Sequence, residues 1–445
     1  MLRVVPIVLA IALCFSNLGF INLGGIAPAA EDTASIADDR LPRNHLTQDK
    51  NAQAATIDEH QTFEDATNLP AEYVAEEIIQ REQNILRLHW DIVPNAVKYE
   101  IFIDGMTHVT FTNGIELPVS NVNAKFQVNA VSIDGTTIEN KIPIRNLDTN
   151  PAAPLTTTEF DKMNYPPIYP VYSWIPVNGA DHYEIELIKD DKIVRRYFTP
   201  SQPQDDNFDF YDKQPVLDEG EYFWRVRGLT VDNRPVTQWS VKNPANSFSV
   251  NHRIRFCAFG DSITHGGGSI SVPPSTAVYN WETYCAIPVK NLGRSGDTTA
   301  ELLARFDSDV LPFRPEVLFI MAGVNDYRAD IPAWESVDNL ELLRDKCLQW
   351  GIVPVFLTPT PLNAAQIQRL NFIEPPPDDW QERQQIICDW IRGQEQFIDV
   401  NAKLTDADGN LSETLSVDGL HPDADGKRII GEAVAAWLDK YLNLK

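Results

Sequence analysis

The sequence predicts a multidomain chain: two antiparallel β-sandwich modules, followed by an α/β domain on a parallel sheet with helices on both faces. Three observations predict it. Between about residues 78 and 250, short strands alternate apolar and polar residues and are separated by regular turns, as in antiparallel sandwiches. Within that region one pattern occurs twice. From Ile254 onward, apolar runs alternate with stretches of helical period, which gives a parallel sheet.

The first thirty residues have the layout of a signal peptide. Arg3 is followed by the apolar Val4 to Phe15, and Ala27-Pro-Ala-Ala30 precedes Glu31-Asp32. An uncleaved anchor is the alternative. Cys14 follows Leu13 rather than a small residue and makes a poor lipidation site. Residues 31–77 are polar and acidic without sustained period, as in a flexible linker. The first sandwich, residues 78–150, opens with Leu86, Leu88 and Trp90 alternating with Arg87 and His89. A break at Asp91-Ile-Val-Pro-Asn-Ala96 leads to Tyr99, Ile101 and Ile103, and Asp104-Gly105 is a hairpin signal. This unit is short enough to lack an edge strand.

The second sandwich, residues 151–250, repeats the texture. Tyr172-Ser-Trp174 matches Leu88-His-Trp90, and Tyr183-Glu-Ile-Glu-Leu187 matches Tyr99-Glu-Ile-Phe-Ile103. Trp, Ala and Tyr keep their spacing in both copies. Both units resemble fibronectin type III domains, which implies spacer modules. Binding a cell-surface glycan is the minority use of such modules. Trp90 and Trp174 are expected in the core.

The α/β domain, residues 251–445, has candidate strands at 254–259, 285–291, 316–321, 352–357 and 396–400. Candidate helices cover 299–310, 334–350, 379–392 and 425–441. Of the four cysteines beyond Cys14, Cys257 and Cys285 fall in or beside predicted strands, and Cys347 and Cys388 in helices. None has metal-type spacing, and all read as buried free thiols. The domain is expected to fold alone from about Asn251.

The chemistry collects just past the strands. Ser262 follows the first in Gly260-Asp-Ser262; Asn291-Leu-Gly-Arg-Ser-Gly296 follows the second; Gly323-Val-Asn-Asp326 follows the third; Asp418-Gly-Leu-His421 lies after the fifth. Open α/β sheets place ligands at these carboxyl ends. A serine nucleophile needs a base, and His421 fits. Asp418, three residues earlier, can fix the tautomer of that base. The backbone N–H groups of Ser262 and Gly293 and the side-chain amide of Asn325 can donate to an oxyanion. Glycine at 293 permits close approach and positive φ.

These four blocks resemble the SGNH, or GDSL-type, hydrolases. The first block reads Gly-Asp-Ser-Ile where the family has Gly-Asp-Ser-Leu. The resemblance implies a three-layer, flavodoxin-like fold and esterase activity, with Ser262 as nucleophile, His421 as base and Asp418 orienting it. It also implies an oxyanion hole of Ser262, Gly293 and Asn325, with Asp261 and Asp326 as supports. No metal or organic cofactor is implied.

Other residues receive plainer readings. His265 is close to Ser262 but awkwardly placed as a base, and His252 reads as a linker residue. Asp406-Ala-Asp-Gly-Asn410 hints at a calcium loop, but Leu411 and Val417 stand where an EF-hand needs Gly and Glu. Arg328 suits either a polar substrate or a helix end. Tyr327, Trp281 and Trp334 are expected in the core.

The chain has 445 residues and a formal net charge of -26, which disfavours a nucleic-acid partner and anionic membranes. No stretch beyond the leader is long and apolar enough to span a bilayer. The expected protein is a secreted or cell-envelope serine esterase acting on a small-molecule or carbohydrate ester. A lipase or lysophospholipase is the alternative enzyme. A surface adhesion protein with a relic hydrolase domain is the alternative of another class. Polar loops such as 269–280 favour a small acyl group on carbohydrate.

Overall fold

The computed structural model describes residues 77–443 apart from 82, 202–207, 269–271 and 371–372. The expected signal peptide, Cys14 and all but the last residue of the expected linker lie outside the described residues.

The first sandwich contains β1 (Asn84–Trp90), β2 (Lys98–Ile103), β3 (Met106–Thr110), β4 (Gly114–Val119), β5 (Phe126–Val131), β6 (Thr137–Glu139) and β7 (Ile144–Thr149). They form two antiparallel sheets, ordered β4-β1-β7 and β3-β2-β5-β6. Because side chains alternate along a strand, Leu86, Leu88 and Trp90 of one sheet meet Tyr99, Ile101 and Val128 of the other in one core. The edge that such a short unit could lack is present. β7 runs antiparallel to β1 and closes that side.

The second sandwich contains β8 (Val171–Ser173), β9 (His182–Lys189), β10 (Lys192–Phe198), β11 (Asp209–Tyr211), β12 (Gly220–Leu229) and β13 (Ser247–Val250), in sheets β10-β9-β12-β13 and β11-β8. The sequence repeat is also a repeat of contacts. Trp90 packs on Tyr99 at 5.1 Å and Trp174 on Tyr183 at 4.9 Å between ring centroids. Each tyrosine hydroxyl accepts the N–H of the residue six positions earlier, Val93 at 3.0 Å and Val177 at 2.6 Å. A buried ring with a satisfied hydroxyl explains why the Trp, Ala and Tyr spacing is kept.

The C-terminal sheet contains β14 (Phe256–Gly260), β15 (Lys290–Asn291), β16 (Val317–Met321), β17 (Val353–Leu357) and β18 (Phe397–Ile398). All neighbours are parallel, in the order β15-β14-β16-β17-β18. This is the flavodoxin-like order, whose switch point lies beside its first strand. The helices are α1 (Ser262–His265), α2 (Thr299–Asp309), α3 (Val324–Arg328), α4 (Ala333–Gln349), α5 (Ala364–Leu370), α6 (Trp380–Arg392), α7 (Asn401–Leu404) and α8 (Ala424–Asn443). The second strand is shorter than expected. Residues Trp281–Tyr284 form a 3₁₀ turn, and Pro288 supplies no N–H to a ladder. Cys257, Cys285, Cys347 and Cys388 are all buried free thiols.

Trp281 and Tyr327 lie in the core, but Trp334 does not; it is 65% exposed. The buried stripe of α4 runs through Ala333, Ser336, Leu340, Leu343 and Cys347, and Trp334 falls off it.

The α/β domain does not begin cleanly at Asn251. Ile168 and Tyr169, before β8, are buried in its hydrophobic core. The Ile168 N–H donates to the Asn291 carbonyl at 3.1 Å, and Lys290 Nζ donates to the Pro166 carbonyl at 2.9 Å. The Tyr169 hydroxyl donates to Asp309 Oδ2 at 2.8 Å. From the other side, Ala277 enters the core of the second sandwich. Its N–H donates to Glu159 Oε2 at 2.9 Å, and Ser275 and Ser173 share a hydrogen bond of 2.9 Å. The described residues belong to one compact unit.

Burying two side chains of this size contributes about 1.5–3 kcal/mol each, and removing Tyr169 also strips a donor from buried Asp309. A chain truncated to 251–445 is therefore expected to be insoluble or to melt at least 10 °C below a chain starting at residue 151, read by circular dichroism. Equal melting temperatures would show that the connector is dispensable.

Candidate active site

β14 is buried along its whole length and ends at Gly260. Asp261 then caps α1, its side chain accepting the Ile263 N–H at 2.9 Å. A carboxylate at this position satisfies a donor that a helix start leaves unpaired. Ser262 is thereby the first residue of α1, and its N–H donates to no described group. Ser262 Oγ stands 3.2 Å from His421 Nε2. His421 Nδ1 stands 2.9 Å from Asp418 Oδ2.

The other Asp418 oxygen accepts the N–H groups of Leu420 at 2.8 Å and His421 at 2.7 Å. Burial pushes the Asp418 carboxyl up, but the His421 ring and these hydrogen bonds outweigh it, and the net shift is below the ordinary carboxylate value. A carboxylate held ionised against Nδ1 leaves Nε2 to accept a proton from the serine.

Gly293 lies under α1. A Cβ there would stand 2.3 Å from the His265 N, so glycine is required by close approach. Positive φ is not needed, contrary to expectation; left-handed glycines near the site include Gly266 at the end of α1, with φ 111°, Gly323, with φ 120°, and Gly419 between Asp418 and His421, with φ 80°. The Gly293 N–H is occupied, donating to Asn291 Oδ1 at 2.9 Å. Asn325, at the start of α3, is buried and donates one amide hydrogen to the Asp297 carbonyl at 2.9 Å. Its second hydrogen has no described acceptor. The resting site thus holds two uncommitted donors, Ser262 N–H and the second Asn325 N–H, and a third that must exchange partners. Asp326 is turned away to α2, accepting the Thr299 N–H and the Ser336 hydroxyl.

His265 is not free to act on Ser262. Its Nε2 donates to the Tyr169 carbonyl at 2.7 Å, and its Nδ1 meets Ser295 Oγ at 2.8 Å. Burial pulls its pKa down to about 4. His252 donates from Nε2 to the Leu217 carbonyl at 2.7 Å. Asp406 accepts the N–H groups of Asp408 and Asn410, a self-contained turn. Arg328 caps no carbonyl among the described residues. Ser275 is spent on docking and the Asn280 amide hydrogens on the loop itself: Ser275 meets Ser173, and Asn280 donates to the carbonyls of Pro274 and Thr276. Their polarity therefore carries no information about the substrate.

Arg305 and Lys427 escaped the sequence reading. The Arg305 guanidinium is buried and donates to the Gly260 carbonyl at 3.0 Å, the Leu292 carbonyl at 2.8 Å and Asp309 at 2.9 Å, and also to Asp297. One side chain ties the end of β14 to the loop after β15 and to α2. Lys427, fully buried on α8, donates to the Ile263 carbonyl at 2.6 Å. Burial lowers its pKa, against the opposing pull of Glu282, Asp261 and Asp418. Both were findable. Arg305 shares a face with Leu302, Phe306 and Asp309, and Lys427 with Ile430 and Val434; each is a charge on an apolar stripe.

A parallel sheet with this rim defines a carboxylic ester hydrolase. Residues 258–429 match the GDSL-like lipase/acylhydrolase family, and the chain carries a domain of that family. No curated protein matches the chain. Among solved structures, the chain is similar to the lipase/acylhydrolase from Enterococcus faecalis, with 25% identity, 42% of this chain and 96% of that one covered, and a TM-score of 0.36. It is also similar to a GDSL-like lipase from Bacteroides thetaiotaomicron, with 18% identity, 43% and 89% covered, and a TM-score of 0.35.

Two measurements follow. Arg305→Met leaves Asp309 buried without its cation and Asp297 with Arg294 alone, a loss that costs about 3–5 kcal/mol; chemical denaturation should show a loss of that size, and a loss under about 1 kcal/mol would remove Arg305 from this role. His265 should keep a neutral ring down to about pH 4. In a ¹³C-histidine NMR titration, the resonance lost in His265→Gln should hold its position between pH 8 and 5; a midpoint near 6.5 would mean an open site.

Proposed function

We propose that the chain is an exported serine esterase that cleaves a short acyl ester of a polar alcohol through an acyl-enzyme. The hydrogen-bond series from Ser262 Oγ through His421 to Asp418 carries this reading. His421 Nε2 takes the hydroxyl proton as Oγ attacks the ester carbonyl, and returns it to the departing alkoxide. Water repeats the sequence on the acyl-enzyme, releasing the acid. Asp418 keeps the Nδ1 proton in place and stabilises the imidazolium. The Ser262 N–H and the second amide hydrogen of Asn325 receive the oxyanion, joined by Gly293 when its N–H leaves Asn291. Export is supported by the apolar Val4–Phe15 stretch and the Ala27–Ala30 segment. A carbohydrate acetyl ester suits the two sandwich modules that precede the domain, and a glycan ligand for those modules belongs to the same proposal.

Ser262→Ala and His421→Ala are expected to abolish hydrolysis of 4-nitrophenyl acetate while leaving the melting temperature within a few degrees. A folded Ser262→Ala protein with wild-type turnover refutes the assignment. Graded 4-nitrophenyl esters should show a sharp fall beyond short chains; a rise with chain length would favour the lipase reading.

Asn325 has two duties, so its removal has two signatures. Asn325→Ala is expected to lower kcat by about 10²–10³ with KM little changed, because the oxyanion bond forms only in the transition state. Losing the bond to the Asp297 carbonyl should also cost about 1 kcal/mol of stability. Steady-state kinetics paired with a melt check both; normal kcat in the folded variant would take Asn325 out of the oxyanion hole.

A further inference from the structure

Arg328 ends α3, three residues after Asn325. Residues three apart on a helix share a side. The neighbouring positions are committed elsewhere: Asp326 holds Thr299 and Ser336, and the Tyr327 hydroxyl donates to the Thr360 carbonyl. Arg328 is left on the side of Asn325, one turn further out. Its side chain is partly buried, and its Nε is buried with no hydrogen-bond partner. Among the described residues it forms no ion pair, hydrogen bond or stacking contact. Burial lowers its pKa, against the pull of Asp261 and Tyr327. Asp261 lies outside ion-pair distance and is itself pushed up to about 7 by burial, so it is a weak counter-ion.

A guanidinium with a buried, unpaired N–H is costly, and elsewhere in this domain the buried arginine is paired: Arg305 holds two aspartates. The planar fork of a guanidinium matches a carboxylate or a phosphate with two parallel hydrogen bonds. We infer that Arg328 binds an anionic oxyacid group, a carboxylate or a phosphate, on the ester substrate, and so sets its specificity. The inference rests on the esterase reading of the same rim. The chain's formal charge of -26 repels an anion at long range, so selectivity for one has to come from a local cation.

The test uses the full chain and hydrolysis of 4-nitrophenyl acetate at constant ionic strength. Galacturonate is compared with galactose as an inhibitor, and glycerol 3-phosphate with glycerol. At least one acid should inhibit competitively, about tenfold or more better than its neutral counterpart. Inhibition by galacturonate alone assigns a carboxylate, by glycerol 3-phosphate alone a phosphate, and by both a general oxyanion site. Arg328→Gln should erase the preference for the acid, and Arg328→Lys should keep part of it, since charge remains but the fork is lost. Acids no better than their neutral counterparts in the wild type, or a preference unchanged in Arg328→Gln, overturn the inference. Should Arg328→Gln fail to fold, the Arg328→Lys comparison decides by the same rule. Anion binding is read separately as a rise in melting temperature of the Ser262→Ala protein. A wild type that hydrolyses no ester but is stabilised by the acids refutes the esterase reading and leaves the anion site standing.

Discussion

The geometry of the rim depends on one buried guanidinium. Arg305 joins three segments that are far apart in sequence: Gly260 before the serine, Leu292 in the loop after β15, and Asp297 before α2. Asn325 in turn donates to the Asp297 carbonyl. The serine turn, the glycine loop and the asparagine are thus positioned through neighbouring atoms. A cation is suited to this because two of its acceptors are carbonyls at or just past strand ends, and burial strengthens each bond. The cost of desolvating the guanidinium is offset by two carboxylates, Asp297 and Asp309, and by the Phe259 ring 4.3 Å away.

Two imidazoles stand near Ser262, and their surroundings give them opposite characters. His265 is closed in by a carbonyl and a hydroxyl, and desolvation keeps it neutral. His421 has a carboxylate on one nitrogen and the serine hydroxyl on the other. A proton arriving on Nε2 of His421 is stabilised by Asp418; one arriving on His265 has no carboxylate to meet. The difference lies in the partners, not in proximity in the chain, where His265 is much nearer.

Strand and helix positions and the four polar blocks were legible because each is written in local pattern. The capped start of α2 is an example: Thr298 and Glu301 bond reciprocally, as their spacing predicts. Short elements were not legible. α1, α3 and α7 span four or five residues, too few for a 3.6-residue period to appear. The occupancy of donors was hidden for a different reason. An asparagine two residues before Gly293 suits a turn in which its amide oxygen accepts the Gly293 N–H, but the pattern does not show that this turn, rather than a free donor, is what the resting site holds. The exposure of Trp334 is likewise a matter of where the stripe of α4 begins, not of residue type.

The second sandwich bears on the chemistry through the connector before β8. Tyr169 gives its hydroxyl to Asp309 and takes the Nε2 proton of His265 on its carbonyl. Asp309 is an anchor of Arg305, and His265 closes α1, the helix that Ser262 opens. A displacement of the connector is therefore felt at both ends of the serine turn: through the guanidinium at Gly260 and through the imidazole at the end of α1. Spacer modules joined by loose linkers have no such grip on their neighbours. Here Tyr169, inside the span of the second sandwich, completes the hydrogen bonding of the rim, so sandwich and catalytic domain are one folding problem, and the serine turn has its native surroundings only when both are present.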